Sequence, residues 1–162
     1  MMNIEPNKRY ILDSNIWFKV FIDRDEQCVK IFNFCLNHAT IVCPLNNLLE
    51  IVHILTNIRD PQTRMKVKRA DSMFFIDLLV WLVNTSKLEL LFPNFELVKK
   101  VIKAYSSSQS EVQIYDFIIG YSGINTVDYI VSDDEHFLEI FQNEDLRREI
   151  CPRVLKSRDI SF

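Results

Sequence analysis

The sequence predicts an α/β fold: a three-layer α/β/α sandwich on a central, mainly parallel sheet of about four to five strands. Three observations carry that reading. Short apolar runs alternate with segments of helical period, and strands separated by helices pair in parallel. Several runs stop abruptly at Asp, Ser or Pro, which are helix-capping or chain-breaking residues. At 162 residues and 48% hydrophobic content, the chain suffices for one core, so residues 1–162 are read as a single domain.

The elements follow in order. YILD, residues 10–13, is a strand ending at Asp13-Ser14-Asn15, a set suited to capping the next helix. Residues 25–38 place Val29, Phe32 and Leu36 on one helical face, and TIVCP, residues 40–44, is a strand stopped by Pro44. Leu45–Ile58 is a helix with Leu48, Ile51, Val52 and Leu55 on one stripe and Glu50 interrupting it. A helical hairpin is expected at about residues 60–86, from the basic RMKVKRA into the apolar MFFIDLLVWLV at 73–83. That second helix has a wide apolar stripe, with Phe74, Phe75, Leu78, Leu79 and Leu82, and should be largely covered; the same face would suit a homodimer contact. A strand at 87–92, helices at 94–105 and 111–122, a loop at 106–110, a strand at 127–131, a short helix from 133 and a last edge strand near the end complete the pattern.

Composition excludes several classes. Net charge is −3, so no molecule-wide positive field draws in nucleic acid. Gly120 and Gly123 are the only glycines, which removes both the dinucleotide and the ATP phosphate loops. Cys28, Cys35, Cys43 and Cys151 lack zinc spacing and read as buried small hydrophobes in a reduced, cytoplasmic protein. No secretory signal is visible, and eleven apolar residues interrupted by Asp77 are too few for a membrane span, which takes about 20. Glu50 and His53 have the spacing of a di-iron helix motif, but that fold needs two such motifs. Asn15 stands where a haloacid dehalogenase-type phosphatase needs a general acid.

Four acids remain to be explained. Asp13 and Asp134 lie at strand ends, where open parallel sheets place their sites. Asp116 opens the helix before the second of these strands, and Glu50 interrupts an apolar helix face. Taken singly, Asp13 is a helix cap and Glu50 a partner for Arg59 or a lysine. Independent caps need not converge, however. Four carboxylates in one crevice repel each other and stay ionised only around a cation. Oxygen ligands favour Mg²⁺ or Mn²⁺.

Asp13 in YILDSNIWF, Glu50 in NNLLEIVHIL, and Asp116 and Asp134 in YDFIIGYSGINTVDYIVSDDEHF resemble the four acids of the PIN-domain ribonucleases, the family that includes VapC-type toxins. Asp13-Ser14-Asn15 resembles the family's Asp-Thr-Asn step. Asp134 follows Asp116 by 18 residues, and Ser132 to Phe137 resembles T-x-D-x-x-F with Ser for Thr. The resemblance implies a PIN-like domain that hydrolyses RNA phosphodiesters with Mg²⁺ or Mn²⁺, with an antitoxin protein as partner if the chain is a toxin. It implies Asp13 and Asp134 as direct ligands, Asp116 as ligand or water-orienting residue, and Glu50 on a second ion or acting through water. Ser14, Asn15, Ser132 and Asp133 would support them by hydrogen bonds. Arg59, Arg64, Lys66, Lys68 and Arg69, the one dense basic segment, are candidates to follow an RNA backbone. The alternative is a PIN-like RNA- or protein-binding module with weak or no nuclease activity.

Overall fold

The computed structural model describes residues 2–57, 69–108, 112–142 and 144–162. Its elements are β1 (Met2–Asn3), β2 (Arg9–Leu12), α1 (Ser14–Phe18), α2 (Glu26–His38), β3 (Thr40–Pro44), α3 (Leu45–Asn57), α4 (Arg69–Asn84) and β4 (Leu88–Leu91). They are followed by α5 (Phe95–Ser107), α6 (Ile114–Gly123), β5 (Tyr129–Val131), α7 (His136–Phe141), β6 (Arg153–Leu155) and β7 (Ile160–Ser161). Five strands form one parallel sheet in the order β4-β3-β2-β5-β6, and β1 pairs with β7 in a separate two-stranded ribbon.

Strand alternation divides the apolar residues between two layers. Tyr10, Leu12, Ile41, Cys43, Tyr129 and Val131 face helices α1 to α4, where Trp17, Ile31, Phe32, Cys35, Ile51 and Leu82 pack. Ile11, Val42 and Ile130 face α5, α6 and α7, against Val101, Phe117, Ile119, Phe137 and Ile140. Each such side chain removed from water contributes about 1.5–3 kcal/mol, so the layers hold the sheet from both sides. Gly123 ends α6 where a Cβ would come within 3.3 Å of Pro152 and Val127, a tight approach that a side chain would have to push apart by a few tenths of an ångström.

The three-layer α/β/α fold with a mainly parallel sheet is as the sequence implied, with differences of detail. Helix α6 starts at Ile114 rather than 111, and α5 runs on through Ser107 into the expected loop. The C-terminal residues supply two strands: β6 is the sheet edge and β7 joins β1. Residues as few as Met2–Asn3 leave no periodicity to read. The first arm of the expected hairpin lies outside the described residues, as do Arg59, Arg64, Lys66 and Lys68. Helix α4 is less covered than expected: Leu79 and Leu82 are buried, but Phe74, Val80 and Trp81 are more than half exposed. Its apolar residues run around more of the helix than one layer can cover. Among the described residues no helix is long and apolar enough to cross a membrane.

Candidate functional site

The carboxyl ends of β2 and β5 lie side by side, with Leu12 opposite Val131 in the register. The residues that follow each strand are therefore neighbours. Asp13 is buried, its backbone N–H donates to the Val131 carbonyl at 3.0 Å, and its Oδ1 caps α1 by accepting from the Ser14 N–H at 2.8 Å. Its Oδ2 accepts from the Asn15 amide at 2.6 Å and from the Ser132 hydroxyl at 2.7 Å. So Asp13 is the helix cap that its sequence context suggests, and it is also tied to the second strand.

Asn15 links the two strand ends. Its Nδ2 donates to Asp13 and also, at 3.0 Å, to Asp134 Oδ2, while the buried Ser132 hydroxyl accepts from the Asp134 N–H at 3.1 Å. One amide and one hydroxyl thus set the spacing of two carboxylates that would otherwise repel. Below this turn the Leu12 carbonyl accepts from both Trp17 Nε1 at 2.9 Å and the buried Asn47 amide at 2.8 Å. Trp17 is buried in the core.

His136, the first residue of α7, is the residue sequence reasoning missed. It stands two residues after Asp134, in the variable part of the S-D-D-E-H-F run, so motif matching passes over it. Its Nδ1 lies 4.0 Å from Asp134 Oδ2 and its Nε2 lies 3.5 Å from Asp116 Oδ1. One ligand atom each from Asp13, Asp134 and His136 fall within 4.8 Å of one another. The only advance signal was the Asp-x-His spacing at a helix start.

Glu50 and Asp116 do not belong to that tight trio, but their charges couple to it. Burial raises the Asp116 carboxyl above the ordinary range, with Glu50 and Asp134 adding to the rise and His136 opposing it. Glu50, exposed on α3, is raised by the protein around its carboxyl and then by Asp13 and Asp134, against the Ser14 hydroxyl and His136. Asp13 is raised by burial and by Asp116, against the hydrogen bonds from Ser132 and Ser14 and the nearby His136. An open crevice of about 460 Å³, lined by Val112, Gln113, Asp116, His136 and Glu139, gives access from the α6 side.

Asp133 behaves differently from its neighbour. It accepts from the Ser157 N–H and hydroxyl, both at 2.8 Å, and pairs with Lys19. Burial alone would raise this carboxyl, but the Lys19 ammonium and the Ser157 donors bring it below the ordinary range. Asp133 therefore clasps the turn after α1 to the C-terminal segment, and its side chain bonds to Ser157 and Lys19 rather than to the other acids as the resemblance implied. Arg69 lies at the start of α4.

No family model matches the sequence, and no curated protein matches it. Solved structures do. A chain of VapBC2 from Rickettsia felis, bound to a DNA fragment from its promoter, superposes with a TM-score of 0.63 at 12% identity, covering 91% of this chain and 98% of that one. A chain of DNA-bound VapBC from Salmonella typhimurium superposes with a TM-score of 0.61 at 14% identity, covering 93% and 98%. At such identities the likeness is one of fold, and the fold of this chain is the PIN-like fold of VapC structures that its sequence resemblance implied.

Proposed function

We propose that the chain is a divalent-metal-dependent endoribonuclease and the toxin half of a toxin–antitoxin pair. The observation that carries this reading is the crevice at the carboxyl ends of β2 and β5. Donor atoms of Asp13, Asp134 and His136 lie within 4.8 Å there, beside two further carboxyls, Glu50 and Asp116, raised first by burial and then by neighbouring acids. Carboxylates packed with no Lys or Arg partner among the described residues are the donor set of a hard divalent ion, Mg²⁺ or Mn²⁺. When bound, such an ion neutralises phosphodiester charge and acidifies water.

The chain's own residues supply the rest. Asp13 and Asp134 would hold the ion, with Asn15 and Ser132 fixing the two carboxylates relative to each other by hydrogen bonds. Asp116 and Glu50, whose carboxyls hold protons more tightly than usual, are suited to accept the proton of an attacking water. The basic residues Arg59, Arg64, Lys66, Lys68 and Arg69 are the proposed backbone contacts for RNA. The VapBC neighbours support an antitoxin as partner, and the exposed Phe74 and Trp81 on α4 offer an apolar surface for a protein, either antitoxin or second copy.

The deciding experiment is RNA cleavage by purified protein with Mg²⁺ or Mn²⁺, with EDTA, and with Asp134→Asn, an exposed position whose loss leaves the core intact. Cleavage should vanish in EDTA and fall at least about 100-fold in the variant, since the ion supplies several kcal/mol of transition-state stabilisation. An unchanged rate in Asp134→Asn rejects the nuclease reading and leaves the binding module.

A further inference from the structure

We propose that Ser157 is a positioning residue of the crevice: through Asp133 it fixes the turn that carries Asp134, so the C-terminal segment sets where that carboxylate stands against Asp13. The inference rests on the functional reading above and lies outside every residue that the resemblance implies.

Asp134 has little of its own to hold it. Its side chain is 61% exposed. The hydrogen bonds that reach the residue are one from the Asn15 amide to its carboxylate and one from its own N–H to the Ser132 hydroxyl. Residues 132–135 lie between β5 and α7 and belong to neither, so no regular ladder spaces them. Where the turn goes, the carboxylate goes.

The other residues of the turn are all held from the C-terminal segment. The Ser132 N–H donates to the Leu155 carbonyl at 3.0 Å, Glu135 pairs with Lys156, and Asp133 accepts from both the N–H and the hydroxyl of Ser157 at 2.8 Å. The Ser157 grip is the firmest of these. Hydrogen bonds to a charged acceptor are roughly twice as strong as neutral ones, and Ser157 is buried. Glu135 is exposed, where an ion pair contributes little. Ser157 is itself anchored: Gln27 on α2 donates to its carbonyl at 3.1 Å and to the Ile160 carbonyl at 2.8 Å, and Leu155 pairs with Val131 in the sheet. Lys19 reaches the same Asp133 oxygen as the Ser157 hydroxyl. The turn is thus drawn between the segment after α1 and the C-terminal strap, and Asp134 is left facing Asn15. Groups bonded behind a ligating carboxylate set its orientation, and a misplacement of about 1 Å in a site can cost about 100-fold in rate.

The test is calorimetric titration of the metal-free full chain with Mn²⁺, together with kcat and KM for RNA cleavage. The wild type is compared with Ser157→Ala, Asp133→Ala, the double variant, and Arg9→Ala, which removes the pair with Glu89 at the other end of β2; each is shown folded by circular dichroism. Ser157→Ala should weaken Mn²⁺ binding at least about fivefold, and Asp133→Ala at least as much. The double variant should bind no more weakly than Asp133→Ala, because the hydroxyl acts through that carboxylate. In cleavage, kcat should fall at least about fivefold while KM stays within about twofold of wild type. Arg9→Ala, though destabilised, should bind Mn²⁺ as the wild type does. Unchanged Mn²⁺ affinity in Ser157→Ala, losses that add in the double variant, a change confined to KM, or an equal loss in Arg9→Ala overturns the proposal. Ser157→Ala against Arg9→Ala decides it even where Asp133→Ala does not fold. A wild type that binds no Mn²⁺ instead removes the metal-dependent reading on which the proposal rests.

Discussion

At the amino ends of the strands, Arg9 donates to both oxygens of Glu89 at 2.8 and 2.9 Å and to the Thr126 carbonyl at 2.7 Å, and Asp128 accepts from Lys8 and from the Arg9 N–H. At the carboxyl ends of the same strands, Asp13, Glu50 and Asp116 form no ion pair with a lysine or arginine among the described residues. The carboxyls respond in opposite directions. Glu89 lies below its ordinary range because of Arg9, and Asp128 is also lowered, its donors outweighing its burial. Asp13, Glu50 and Asp116 are all raised, with burial as the leading cause. One end of the sheet pairs its carboxyls with lysine and arginine; at the other the carboxyls lie among one another and beside His136. Carboxyls raised by burial and by neighbouring acids are candidates for a functional site.

The difference can be tested from its largest expected effect downward. A divalent ion at 100 times its dissociation constant should stabilise the fold by about 2.7 kcal/mol. For a chain of this size that raises the melting temperature by roughly 5–10 °C. Scanning calorimetry with and without Mn²⁺ reads it, and Asp134→Asn should lose most of the gain. A wild type indifferent to the ion would erase the contrast between the two ends.

Next in size, Arg9→Ala should lower stability by about 1–2 kcal/mol by removing a bidentate pair and a bond to a backbone carbonyl. Urea unfolding measures it, and the loss should not depend on divalent ions.

The smallest effect has the opposite sign. Asp116→Asn should stabilise the metal-free protein at pH 7, by less than about 1 kcal/mol. A carboxyl whose folded value is raised binds its proton more tightly in the native state. Its contribution is most favourable below the unfolded value of about 4 and is lost as pH rises through the folded value. The variant's advantage should therefore shrink to nothing as pH falls below about 4. A variant less stable than wild type at pH 7 would show that Asp116 is structurally paired after all.

Much of this was legible from residue order. Each strand-to-helix step leaves a local mark, such as Asp13-Ser14-Asn15 at a cap or Pro44 at a strand end, and helical periodicity marks the crossovers. Parallel pairing follows from the helical crossovers, while the strand order β4-β3-β2-β5-β6 is visible only in the structure. What sequence could not supply was direction. Nothing in Asp133-Asp134 says that the first turns to Lys19 and Ser157 while the second faces Asn15, because that depends on where residues far along the chain come to rest. His136 escaped for the same reason: its nearness to Asp13, from the other strand, exists only in the folded chain. The exposure of Phe74 and Trp81 was hidden because periodicity counts apolar residues and not the surface available to cover them.

The Leu12 carbonyl, gripped by Trp17 from one helix and Asn47 from another, makes one peptide serve both the interior and the crevice. Loosening of the packing around Trp17 by heat or by a smaller side chain would travel one residue to Asp13 and unsettle the alignment of its carboxylate before the molecule as a whole came apart. Rigidity in the centre and the placement of the carboxylate at the rim are, in this chain, a single property.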